Sequence, residues 1–301
     1  MRGLYWAVGA VGLAAAVAAI FIDNNVDCWN TPRDRFTEQL DRDTELGTEW
    51  MVSNQRWLNV ISNDNLMYMI ANMSSVSPDP RPRAVVNDYL RHEIGQDFWR
   101  RMVDPAAKDR IIGNSQTWCD YCRWIAYSIA PEQVPLTPAE LKNMLSPNRY
   151  VWGSRTHQLL SLILYRERGH NSPEVNSIIN RVCESIAGEE GWDIRVTDLY
   201  LQRVAFLLAA GRPDLVKRRW IERILANQKQ DGGWAPSWHG FGPNLFEFHY
   251  QVDQATPHAS IQGIWVLYLL KYRYPQWIAQ NYPAPRKRGG QADAAPQYVA
   301  R

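Results

Sequence analysis

The chain has 301 residues, 46% hydrophobic and 21% charged; that is ordinary globular usage and excludes a mainly disordered, collagen-like or polytopic membrane protein. Lys plus Arg (33) nearly balances Asp plus Glu (31), so the net charge of +2 gives no general field for nucleic acid and no nucleic-acid partner is expected. The outlying number is 14 Trp, which points to a large aromatic core or an aromatic-lined cavity.

Residues 3–22 carry no charge. A helix of about 20 residues, rising about 1.5 Å per residue, spans a hydrocarbon core. Arg2 precedes the run, and Asp23 and Asp27 follow it. The positive-inside rule then puts the N-terminus in the cytoplasm and the body outside it, which is the periplasm if the cell is a Gram-negative bacterium. Ala16-Val17-Ala18 is an A-x-A site, so a cleaved signal peptide is the rival reading. The run continues past that site to Ile22, which favours a retained anchor. Residues 1–22 are therefore expected to be a membrane anchor or signal peptide. The body is expected over 23–283, and a disordered Ala-, Gly-, Pro- and Arg-rich tail over 284–301.

Four cysteines suit an exported chain: Cys28, Cys119, Cys122 and Cys183. Cys119 and Cys122 stand at helical i, i+3 spacing, within disulfide reach. A single C-x-x-C is weak evidence for zinc, and no thioredoxin-like pattern surrounds it. A structural disulfide or a pair of inert thiols is the favoured reading.

Strand signals are almost absent. Residues 30–115 read as helical, most clearly over 50–73 and 88–103. Further on, Trp152, Trp192 and Trp234 recur with a period of about 40 residues. Thr117, Thr156, Thr197 and Thr256 each stand before a nearly all-apolar helix and are expected as N-caps. Amphipathic helices lie between them. Ser172-Pro173-Glu174 opens one with Val175, Ile178, Ile179, Val182, Cys183 and Ile186 on a single face. Pro213 opens another, with Val216, Trp220, Ile221, Ile224 and Leu225. Thr137-Pro138-Ala139-Glu140 is a capping box. A helix apolar all round must be buried on all sides, and a one-faced helix can cover it. The pattern predicts an all-α fold of two concentric helix layers, an α/α toroid; a straight solenoid of helix pairs is the rival.

Gln228-Lys229-Gln230-Asp231-Gly232-Gly233-Trp234 resembles the Q-x-x-D-G-G-W motif of the terpenoid cyclase and protein prenyltransferase toroid. Glu189-Glu190-Gly191-Trp192 is similar to a degenerate copy, and Val151-Trp152-Gly153 to a weaker one. The good match covers about fifty residues, and the weaker period runs over roughly 117–280. The motif is structural: Gly turns the chain, Asp caps, and Trp packs over a helix end. It implies a fold and not a reaction.

The resemblance also implies a functional site at the end where the inner helices begin, where helix dipoles favour anions. Trp118, Asp120, His157, Asp198 and His258 stand just inside those starts. Such positions also hold Asp and His with no function. The link from Trp234 to Thr256 is far longer than its counterparts after Trp152 and Trp192. This insertion carries Trp238, His239, Phe241, Phe246, Glu247, Phe248, His249, Tyr250 and Asp253. It is expected either as a lid or binding loop, or as a loop packed on the body. The candidate catalytic residues are His157, Asp198, His249, Tyr250 and His258, expected to face one cavity. The candidate ligand-binding residues are Trp118, Trp238, Phe246 and Phe248.

His249, Asp253 and His258 suit zinc by type. The resemblance to protein prenyltransferases matches His258 to their zinc-binding His, but no Asp-x-Cys precedes it. The set is incomplete, and no metal or cofactor is expected. Squalene-type cyclases need D-x-D-D, and Asp41-Arg42-Asp43-Thr44 is one Asp short. Three classes stay open. The first is a membrane-anchored binding or scaffolding module for a membrane lipid, a glycan or a membrane-protein partner. The second is an enzyme on an isoprenoid or lipid. The third is a lyase or hydrolase of envelope polysaccharide, with His249, Tyr250 or His258 as acid or base, or carboxylates from Asp198, Glu247 or Asp253.

Overall fold

A computed structural model describes residues 2–27, 31–60, 64–91, 98–107, 114–147, 155–193, 195–235, 240–241, 248–249 and 254–284. The tail beyond 284 lies outside these, as do Cys28, Trp152, Trp238, Phe246, Tyr250 and Asp253. The described chain is all-helical apart from a two-residue antiparallel ladder, β1 (Gly240–Phe241) with β2 (Phe248–His249), inside the insertion.

The uncharged N-terminal run forms one helix, α1 (Arg2–Asn25). Within it, side chains are described for 9–15, 17–19 and 21–25. Among the described residues, no helix is long and apolar enough to cross a membrane. The stretch 30–115 breaks into α2 (Arg33–Ser53), α3 (Gln55–Val60), α4 (Asp64–Val76) and α5 (Pro80–Arg91), followed by a tight turn over Phe98–Met102. Asn54 ends α2; its side-chain amide donates back to the Trp50 carbonyl and competes with helix continuation.

The repeat region gives α6 (Asp120–Ile129), α7 (Pro138–Met144), α8 (Arg155–Glu167), α9 (Pro173–Trp192), α10 (Asp198–Ala210), α11 (Arg218–Ala226), α12 (Pro257–Tyr268) and α13 (Pro275–Asn281). The capping box of α7 forms as expected: the Glu140 amide donates to Thr137 Oγ1, and the Thr137 amide to Glu140 Oε2. Ser172 caps α9 by accepting from the Val175 amide. Pro213 opens a short 3-10 turn rather than α11, because the Val216 amide closes on the Pro213 carbonyl and Lys217 is extended. The stripe expected there, from Val216 to Leu225, is buried all the same.

The Thr caps are realised differently from expectation. Thr197 and Thr256 hold the N-cap positions, but neither hydroxyl caps its helix. Thr156 lies inside α8, buried, and donates to Gln202 Oε1 at 2.6 Å. Thr117 belongs to a preceding 3-10 turn; Cys119 caps α6, its sulfur accepting from the Cys122 amide.

The apolar helices are the buried ones. Every residue of α10 from Tyr200 to Ala210 is buried, as is every residue of α12 except His258. α4 packs on the 98–102 turn, that turn on α6, α6 on α8, α8 on α10, α10 on α12, and α12 again on α4. Outside this circuit, α2 lies on α12 and α5, α5 on α4, α7 on α6 and α8, and α9 on α8 and α10. Aromatics pack α12 against α4 and α10. Trp265 meets Tyr68 and Phe206 edge to face, at 6.3 and 5.6 Å between centroids, and donates to Asn72 Oδ1.

The Q-x-x-D-G-G-W segment is the corner between α11 and α12. Gly232 has φ +92°, and a Cβ there would stand 2.1 Å from the Leu46 carbonyl oxygen of α2, so only glycine fits. Asp231 Oδ1 accepts from the Gly233 amide. Gln228 Nε2 donates to the carbonyls of Asp43 and Gly232, tying the corner to α2. Trp234 is buried, and its indole N–H donates to Ile224 O at the end of α11. Trp192, expected in the same packing role, is instead exposed and touches Phe21 of α1.

Candidate functional site

The starts of α6, α8, α10 and α12 are linked side by side. Tyr121 of α6 lies against His157 of α8, with ring centroids 4.5 Å apart. Thr156 of α8 bonds Gln202 of α10. Asp198, in the first turn of α10, meets His258, the second residue of α12, with 2.8 Å between Oδ2 and Nδ1. These four helices thus begin at one end.

The Asp198–His258 pair is the chemical centre of this end. Both side chains are accessible, at 41% and 38% exposure. The hydrogen bond from His258, reinforced by its charge when protonated, holds the Asp198 carboxyl below its ordinary range. The ionised carboxylate fixes the proton on Nδ1 and orients the ring, so neutral His258 presents Nε2 as an acceptor. One turn on, the buried Gln262 lays its amide nitrogen along the ring edge, 3.3 Å from Nδ1 and 3.4 Å from Nε2. Gln262 Oε1 is buried and makes no hydrogen bond among the described residues. An oriented imidazole of this kind can accept a hydrogen bond from a ligand or take a proton from it.

The other expected residues are placed as follows. His157 is one helix further round, against Tyr121 rather than against the pair. Trp118 stacks on Trp99 at 5.2 Å and leans on Phe98, in an aromatic cluster at the start of α6. Cys119 and Cys122 form a disulfide beside it. Phe248 and His249 are described only as backbone of the short ladder. Trp238, Phe246 and Tyr250 lie outside the described residues. Asp41 and Asp43, the partial cyclase motif, are held in ion pairs with Lys271 and Arg42. Among the described residues, no cluster of three His, Cys, Asp or Glu side chains is placed to hold a metal.

The sequence reading missed one feature. A cleft of about 830 Å³ opens where α2 ends and the chain enters α12, between Trp50, Trp57, Glu49, Lys229, Asp231 and Gln254. Trp57 is half-exposed there. An exposed Trp leaves no trace in hydrophobic periodicity, and Asp231 was absorbed by its structural motif.

No family model, curated protein or solved structure matches the chain. Function therefore rests on the geometry of this end of the molecule.

Proposed function

We propose that the chain is a membrane-anchored, extracytoplasmic α/α toroid acting as a binding module, with its ligand site at the end where the inner helices begin. The observation that carries this is the Asp198–His258 hydrogen bond. It is an accessible, oriented donor–acceptor pair on two otherwise buried helices. The closed circuit of α4, α6, α8, α10 and α12 supports the toroid, and the uncharged run of α1 supports the anchor.

The test is native mass spectrometry of the full chain extracted in mild detergent. The wild type is expected to carry a bound mass that Asp198→Asn and His258→Ala both lose, with unchanged circular dichroism. A mass retained in both variants, or none on the wild type, overturns the reading.

A second reading, a glycan bound in the separate Trp50–Trp57 cleft, is favoured because that cleft combines the half-exposed Trp57 indole with charged and amide groups. Trp57→Ala is expected to weaken retention on immobilised envelope polysaccharide about fivefold, the equivalent of roughly 1 kcal/mol of stacking. Unchanged retention removes the glycan.

A further inference from the structure

The base of α1 is locked to the body. Asn24 Nδ2 donates to the carbonyls of Glu190 and Gly191, and Asn24 Oδ1 accepts from the buried Tyr200 hydroxyl. Asn25 Nδ2 donates to Gly191 O, and Lys217 Nζ to Asn25 Oδ1. Arg219 and Arg223 both pair with Asp23. A helix held by this many directed bonds from three elements does not swivel on a linker.

Above its base, α1 leaves the body. Val11 and Leu13 are 70% and 69% exposed, an apolar surface that no other element covers among the described residues. At the point of departure stands Trp192, the last residue of α9, 69% exposed with its ring 4.7 Å from Phe21. With Leu13, Ala14, Val17, Ala18 and Phe21 it borders an apolar groove of about 530 Å³. An exposed indole at the foot of an apolar helix is the arrangement that suits a membrane–water interface.

The direction of departure fixes which end is involved. Asn24 lies beside Glu190 and Phe21 beside Trp192, so α1 followed backwards runs past the C-terminal end of α9. Asp193 caps the end of α9, and α10 starts with Asp198 at that same end. We propose that the body is seated on the lipid bilayer in one orientation, with Trp192 in the headgroup layer and the Asp198–His258 end of the ring facing the membrane. The proposal rests on the reading of α1 as an anchor. It places the ligand site where a molecule lying in the bilayer surface can reach it.

The experiment is spin-label depth measurement on the full chain in nanodiscs, comparing accessibility to oxygen with accessibility to a water-soluble nickel chelate. Cys28→Ser provides the background. Cys119 and Cys122 are paired, and burial pushes the Cys183 thiol up to about 12, which keeps it protonated and unlabelled. Labels go at Leu13→Cys, Trp192→Cys, Gly188→Cys and Glu174→Cys. The Gly188 label leaves Trp192 in place, and a Cβ there meets nothing within 4 Å. Glu174 opens α9, a 20-residue helix, so it lies about 30 Å from Trp192. Oxygen is expected to dominate at 13, the two reagents to balance at 188 and 192, and nickel to dominate at 174. Nickel dominance at 13 removes the anchor and this proposal together. Oxygen dominance at 13 with nickel dominance at 188 and 192 leaves the anchor standing and overturns the seating. Exclusion of both reagents at 188 and 192 overturns it in favour of a protein partner.

Discussion

Two corners of this molecule are built from related sequence and serve opposite ends. Gln228–Trp234 closes on itself: Gly232 turns against Leu46, Asp231 holds the Gly233 amide, and Trp234 is 1% exposed over the end of α11. Glu189–Trp192 opens outward. Its Trp is 69% exposed, and its carbonyls receive Asn24 and Asn25 from α1. The second copy lacks three residues of the motif: Ile186 stands for the Gln, Glu189 for the Asp and Glu190 for the turning Gly. Without them α9 continues helically to Trp192, and the indole cannot fold back over its own helix. The first corner is a joint between α11, α12 and α2. The second is a socket for another helix, and degeneracy of the motif is what makes it one.

The largest expected effect tests the glycines of the two corners. Gly232→Ala puts a Cβ against backbone at a left-handed φ, where nothing flexible can yield. It is expected to cost at least about 3 kcal/mol in urea unfolding. Gly191→Ala meets only Asn25 Oδ1 at 3.2 Å and improves helix propensity, so its effect is expected to stay within about 1 kcal/mol. Equal losses at both positions would erase the distinction between joint and socket.

The tryptophans give the next contrast. Trp234→Ala removes a fully buried indole that packs on Gly263 and bonds Ile224 O, and is expected to cost about 3–5 kcal/mol. Trp192→Ala in detergent is expected to change body stability by less than about 0.5 kcal/mol. A large loss there would mean that Trp192 holds the ring after all.

Much of this fold was legible. The helices α10 and α12 are apolar all round and become the buried ones, and Thr137 with Glu140 forms its capping box. Local rules reach that far. They do not reach Thr156, which carries a cap signature but spends its hydroxyl on Gln202 of a neighbouring helix. They placed Asp198 and His258 at matching helix starts, yet their bond depends on the register of α10 against α12. The fate of Trp192 was illegible for the same reason. Spacing encodes where a turn falls, while exposure is decided by what docks beside it.

The smallest effect lies beneath the socket. Glu190 is fully buried, and Arg203 reaches it only at 3.5 Å while holding Asp193 at 2.9 Å. Burial therefore pushes the Glu190 carboxyl well above its ordinary value of 4.5, with the nearby Asp193 charge adding to the shift. A carboxyl raised on folding binds its proton more tightly in the native state. Its contribution is full below the unfolded value and is lost as pH rises through the folded one. The joint at Gln228–Trp234 buries no carboxylate of its own. Glu190→Gln keeps the neutral form at every pH. It is expected to match the wild type near pH 4.5 and to become the more stable protein, by about 1–2 kcal/mol, as the pH is raised. Urea unfolding of both proteins across that range reads the difference. Parallel curves would show that Glu190 stays ionised and that Arg203 neutralises it despite the distance.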